Sequence, residues 1–284
     1  MFLIFIAGLL WGTIGIFVKE LNSLGADSPL TCFIRMLFAF LIMSFAALLQ
    51  HGKNFFKIDK KTLLLCAGLG LVSQGFFNIC YTASIKLNGM GVACVLMYSA
   101  PVFTAIASRI FFHEKISAFK IFALVLNILG CVLTVTGGNV LSGAEISLLG
   151  MLDGLGTGFC YGMAAIFGKA AGEKTDASIM SAYSYLFAVL FLFLFNRPGL
   201  ENLNAKILGV GFLYGLLPTS LAYMIYYNGI KKIKDTSKVP VIASIEPIAA
   251  VLLGMFLYNE QVGTMNFIGI GVVLISILMT MRAK

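Results

Sequence analysis

Acidic side chains are scarce. Only 12 Asp and Glu occur in 284 residues, and all charged residues make up 11% of the chain, against roughly 25% in an ordinary soluble domain. So few charges cannot cover a soluble protein of this size, which excludes a soluble enzyme. The net charge of +8 does not mark a nucleic-acid binder, because the basic residues sit in short stretches between apolar runs. Histidine is nearly absent: His51 and His113 are the two in the chain, and both lie in or beside those stretches. An intramembrane serine protease therefore lacks its base. Asp153 is the one aspartate deep inside an apolar run, whereas aspartyl proteolysis needs two facing carboxylates. No Gly-rich Lys-Ser/Thr phosphate loop occurs, which excludes ATP-driven work by this chain itself. The six cysteines (Cys32, Cys66, Cys80, Cys94, Cys131 and Cys160) all lie inside apolar runs without a Cys-x-x-Cys pair. Neither a disulfide framework nor a metal site is expected, nor any cofactor.

Apolar length is abundant instead. Hydrophobic residues are 60% of the chain, and a bilayer core takes roughly 20 per helical span. The runs predict ten helices, over 2–20, 29–49, 62–85, 90–112, 117–137, 147–169, 178–196, 206–230, 236–258 and 262–282. Helices are expected because lipid cannot satisfy an open backbone, and the alternation of a membrane barrel is absent. The apolar N-terminus lacks a basic flank and is expected to be a retained first span rather than a cleaved signal. With the N-terminus placed inside, fifteen of the Lys and Arg residues fall in inner segments. Lys19, Lys86, Arg197 and Lys206 fall outside, and Arg35 lies within a span. That bias predicts an even number of spans with both termini cytoplasmic.

The chain also repeats itself. A shift of 150 residues brings Trp11-Gly12 onto Tyr161-Gly162, Phe17 onto Phe167 and Lys19 onto Lys169; a shift of 146 brings Tyr81 onto Tyr227, Pro101 onto Pro247 and Glu114 onto Glu260. The fold expected is an all-α integral membrane protein, ten transmembrane helices forming two inverted five-helix repeats, 1–140 and 141–284. Five is odd, so the second copy enters from the opposite side. Many secondary transporters share this construction, because exchanging two conformations between copies opens a central site to alternate sides. Duplication that only builds a stable bundle, such as a lipid-binding or assembly protein, is the alternative.

Ser99 to Phe103 (Ser-Ala-Pro-Val-Phe) followed by Phe111 to Ser117 (Phe-Phe-His-Glu-Lys-Ile-Ser) resembles the end of an EamA repeat. Ile245 to Ile248 (Ile-Glu-Pro-Ile) with Tyr258 to Glu260 resembles its counterpart. Trp11-Gly12, Phe33-Ile34-Arg35 and Ala39 are similar to that family too. The resemblance is to the drug/metabolite transporter superfamily, over essentially the whole chain. It implies a ten-helix alternating-access carrier in a bacterial cytoplasmic membrane, commonly an exporter of amino acids, metabolites or cationic drugs. Its expected partners are a small-molecule substrate, the bilayer and protons. Tyr185 stands where the first copy has Arg35, so whatever Arg35 does is not duplicated.

Polar residues inside spans are costly and therefore informative. Gln74, Asn78 and Tyr81 are spaced to share a helix face; Ser220, Tyr223 and Tyr227 repeat that geometry. Amides and phenols there could bond a substrate, or merely tie helices together. Trp11 and Tyr161 form a symmetric aromatic pair near mid-span, and Tyr98 and Ser99 precede Pro101. All of these except Ser220 are candidate substrate-binding residues. Glu246, directly before Pro247, is a candidate for both substrate binding and coupling. Proline frees backbone carbonyls beside its carboxyl group, and Ala243, Ala250 and Gly254 lie on its face. It suits a proton-coupled step, a substrate ammonium, or a structural hydrogen bond at the kink. Arg35 can pair with a carboxylate, bind an anionic substrate group or snorkel, and structural anchoring is the expectation. Asp153 can line a vestibule, though its nearness to the outer surface favours a solvated role.

Overall fold

The computed structural model describes residues 1–139 and 147–282. The expected boundary between repeats, at 140/141, lies outside the described residues. Among them every regular element is helical. Eight helical runs are long and apolar enough to cross a bilayer: Phe2–Ser23, Ser28–Phe56, Lys60–Met97, Ala118–Thr136, Ala177–Asn196, Ala205–Ile230, Thr236–Tyr258 and Thr264–Arg282.

The difference from ten has two physical sources. The helix expected at 90–112 is cut at Tyr98–Ser99, and a kink at Gly89, whose φ of 79° and ψ of 164° are not helical, separates its first part from the preceding helix without a loop between them. That leaves Ala100–Phe112 short for a span of its own. The helix expected at 147–169 is present as Leu148–Gly172, 25 residues long. Its seven glycines, Asp153 and Lys169 dilute its hydropathy below that of a clear span.

The fourteen α-helices are α1 (Phe2–Gly12), α2 (Ile14–Ser23), α3 (Ser28–His51), α4 (Lys60–Gly70), α5 (Phe77–Met97), α6 (Ala100–Phe112), α7 (Ala118–Thr136), α8 (Leu148–Gly172), α9 (Ala177–Asn196), α10 (Ala205–Tyr214), α11 (Ala222–Ile230), α12 (Val239–Ala243), α13 (Ile245–Tyr258) and α14 (Thr264–Arg282). Two π-helical segments, Leu71–Phe76 and Gly215–Leu221, join α4 to α5 and α10 to α11. Such segments are often found at functional sites. Pro218 sits inside the second, where a missing amide donor costs least in an already rewound ladder.

Small residues set how close the helices come. Without a hydrophobic drive between helices in lipid, association relies on packing and hydrogen bonds. On α8, Gly154, Gly158 and Gly162 meet Leu96, Ser99 and Ala100. Thr104 Oγ1 donates to Gly162 O at 3.0 Å and Ser84 Oγ to Gly150 O at 2.8 Å. On α1, Gly8 and Gly12 meet Ala243, Ile245, Ala249 and the carbonyl of Glu246. The small face expected around Glu246 is thus met by α1, except at Gly254, which Glu260 covers instead. Shifting by 150 and 146 maps the α1–α13 contact onto the α8–α6 contact. Phe45, Leu49, Leu64, Phe195 and Phe256 are exposed, as lipid-facing side chains must be.

Candidate functional site

The helix breaks converge on an aromatic cage. Trp11, at the end of α1, is buried, with ring centroids 4.9 Å from Tyr223 and from Tyr226 and 6.4 Å from Tyr161. Phe77 bridges Tyr161 and Tyr81, each at 5.8 Å. The α12–α13 break at Ser244 places Glu246 at the start of α13. There its Oε2 accepts from the Tyr161 hydroxyl at 2.7 Å. Glu246 keeps some exposed surface, and with Tyr98, Asn127, Tyr161 and Ser244 it lines a cavity of about 10 Å3. That is close to the least a water molecule needs.

Arg35 supplies a positive charge to the same interior. It neither snorkels nor reaches a membrane surface: it is 8% exposed, and its Nη1 donates to the Tyr214 hydroxyl at 3.2 Å and its Nη2 to Gln74 Oε1 at 3.4 Å. Its guanidinium lies 5.3 Å from the Tyr214 ring centroid, a cation–π distance. Tyr223 feels the charges of both Arg35 and Glu246. No ion pair joins the two charges among the described residues. Arg35 Nε and Trp11 Nε1 are buried without a hydrogen-bond partner among the described residues. Buried donors of this kind are rare and call for an acceptor.

The other expected residues divide. Gln74 faces Arg35, but Asn78 turns to its own helix and to α3: its Nδ2 donates to Gln74 O at 2.5 Å and its Oδ1 accepts from Cys32 Sγ at 2.9 Å. Tyr81 pairs with Cys94 Sγ at 3.0 Å. Gln74 lies in the π segment that ends at Phe76, while Asn78 and Tyr81 lie on the α-helix that follows, and the three side chains take different partners. Tyr98 lines the Glu246 cavity. Ser99 donates to Leu96 O at 2.6 Å and packs on Gly158, tying the α5–α6 break. Tyr227 is 1% exposed, against Tyr223, Tyr226 and Gly168, on the outer wall of the cage.

Three contributors escaped the sequence reading. Tyr214 and Tyr226 were hidden among ten tyrosines. Asn127 donates to Ser244 Oγ at 2.6 Å and Ser276 Oγ at 2.9 Å. Its signal was legible: it is the one amide side chain in the apolar run 118–136.

A model of the EamA-like transporter family matches residues 1–136 and 148–282. An uncharacterized transporter of Archaeoglobus fulgidus is 27% identical over 98% of this chain and 95% of its own length. The uncharacterized transporter YoaV of Bacillus subtilis is 25% identical, over 70% and 68%. The threonine/homoserine exporter RhtA of Escherichia coli K12 is 22% identical, over 72% and 66%. A solved crystal structure is similar over 98% of this chain and 94% of its own, with a TM-score of 0.79 at 15% identity; that likeness concerns the fold alone.

Proposed function

We propose a task for this chain, which belongs to the EamA-like transporter family and is an integral membrane transporter, not an enzyme: it is a secondary carrier that exports a small zwitterionic solute by alternating access. The observation that carries this reading is a pair of opposite charges, Arg35 and Glu246, held in one aromatic interior without pairing to each other. A buried charge is costly unless a partner neutralises it. A solute that brings a carboxylate to Arg35 and an ammonium to Glu246 relieves both costs at once. The guanidinium fork suits a carboxylate, and Trp11, Tyr161 and Tyr223 offer rings to the body of the solute. Similarity to a threonine/homoserine exporter supports both the zwitterion and the outward direction. When no solute is bound, Glu246 is the group free to take a proton, which links export to a proton gradient.

Alternating access rests on two inverted five-helix copies, 1–140 and 141–284. Their support is the recurrence of features at closely similar spacings: π segments at 71–76 and 215–221, and breaks before Pro101 and Pro247. The glycine contacts of α1 and α8 recur in the same way.

The test is direct binding of threonine and homoserine to the purified protein, beside their N-acetyl and methyl ester forms. Binding of the parent amino acids, with loss for both blocked forms, is expected. Equal binding of the blocked forms, or none of the parents, defeats the zwitterion reading.

A further inference from the structure

Each repeat carries a glutamate just past the end of a helix. His113 and Asn259 cap α6 and α13 in the left-handed region, with φ of 57° and 53°. That conformation is unfavourable for residues with a Cβ and persists only where the surroundings hold it. In both places it turns the chain so that the next residue folds back: Glu114 N donates to Ser108 O at 3.3 Å, and Glu260 N to Gly254 O at 3.3 Å. In both places a lysine answers. Lys169 Nζ meets Glu114 Oε1 at 3.0 Å and lies 4.5 Å from the Phe112 ring centroid. Lys19 Nζ meets Glu260 Oε1 at 2.9 Å and lies 3.8 Å from the Tyr258 ring centroid. Acid, base and ring correspond one to one under the shifts of 146 and 150. On the inverted ten-helix plan the two clusters fall at opposite ends.

Their surroundings differ. Glu114 also accepts from Thr236 N at 2.9 Å, Thr236 Oγ1 at 2.7 Å and Ser237 N at 3.3 Å. Lys169 donates to Lys234 O at 3.1 Å, and an Lys120–Asp235 pair stands alongside. The Glu114 and Lys169 side chains are 10% and 14% exposed. Glu260 and Lys19 are 55% and 52% exposed. The residues equivalent to Thr236 and Ser237 are Met90 and Gly91, and among the described residues the Glu260 side chain is bonded to Lys19 and to neither of them.

We infer that these clusters are two copies of one latch, fastened at Glu114 and unfastened at Glu260 in this conformation, and that the transport cycle exchanges them. In the opposite state Glu114 releases Thr236 and Ser237, and Glu260 takes the backbone amides of Met90 and Gly91. The inference rests on the inverted-repeat carrier reading. Its physical basis is that a sheltered carboxylate with four donors is held far more firmly than a solvated pair. The fastened latch therefore sets the resting state.

Hydrogen exchange of the full-length protein in lipid nanodiscs tests this without any solute. Glu114→Gln should raise exchange at residues 235–238 by about tenfold and slow it at 89–91, because opening one end closes the other. Lys169→Met should shift both segments the same way by less, and asks the same question if the first variant folds poorly. Glu260→Gln should leave 235–238 protected, and added to Glu114→Gln it should abolish the new protection at 89–91. Faster exchange at 235–238 with no change at 89–91 would make Glu114 a local cap and overturn the inference, as would no change at either. Absence of transport by the unmutated protein with these exchange patterns present would count against the carrier reading instead.

Discussion

Arg35 and Glu246 show what one residue can and cannot reveal. Glu246 stood out in the sequence because a carboxylate beside a mid-span proline is expensive in lipid. Arg35 was equally visible, yet structural anchoring was the expectation for it, with anion binding and snorkelling as alternatives. Only the positions of Tyr214 and Gln74 turn it inward. Two substitutions separate their parts. Arg35→Lys keeps the charge but loses the planar fork, and should weaken binding of the zwitterion by about 1.5–3 kcal/mol. Glu246→Gln should weaken binding by a similar amount if it holds the ammonium. If it serves only to couple protons, binding should persist and accumulation driven by a pH gradient should vanish. Calorimetry and vesicle flux on the same preparations distinguish these outcomes.

At the scale of elements, close approach and capping decide. A Cβ at Gly12 would collide with Ala249 and press on the backbone of Ala250 and Glu246, whereas Gly15, three residues on, has open space. Gly12→Ala should therefore cost about 1–3 kcal/mol through overpacking. Gly15→Ala should gain up to about 1 kcal/mol from helix propensity alone. Thermal unfolding in one detergent gives both signs. Asp59 caps α4, accepting from Thr62 Oγ1 at 2.5 Å and Thr62 N at 3.1 Å. The Thr62 hydroxyl, then its amide, hold the Asp59 carboxyl below its ordinary range. A depressed carboxylate contributes fully above its unfolded pKa and loses that contribution as pH falls through the folded value. Protection of the Thr62 amide should thus survive acidification to about pH 4, the ordinary aspartate value, and disappear below it. In Asp59→Asn that pH dependence should be absent.

At the scale of the whole molecule, orientation remains a matter of loop charge. Lys57 and Lys234 should be modified by a membrane-impermeant amine reagent from one side of sealed vesicles, and Lys86 and Lys206 from the other. All four are exposed. Modification of Lys57 and Lys86 from the same side would break the alternation of helices on which both the two-copy plan and the opposed latches depend.

The linear chain by itself determined the solvent, the element type and the recurrence. Apolar run length and scarce charge leave helices in a bilayer as the one arrangement that satisfies the backbone. Collinear identities at fixed shifts are visible without coordinates, as is the costly placement of Glu246. Tertiary structure decided the rest, because each remaining fact depends on rotation or distance between segments far apart in sequence. Asn78 bonds to Cys32 on α3 and Tyr81 to Cys94 while Gln74 meets Arg35, partners that regular helical spacing cannot foresee. Glycine contacts fix how near α1 lies to α13, at Gly8 and Gly12, and to α11, at Gly229, and α11 carries the Tyr223 that Trp11 meets. The same shift that pairs Glu114 with Glu260 in sequence gives no sign that one is sheltered by Thr236 and Ser237 and the other is left in solvent. Corresponding residues thus sit in different surroundings, and packing across the molecule sets which is sheltered.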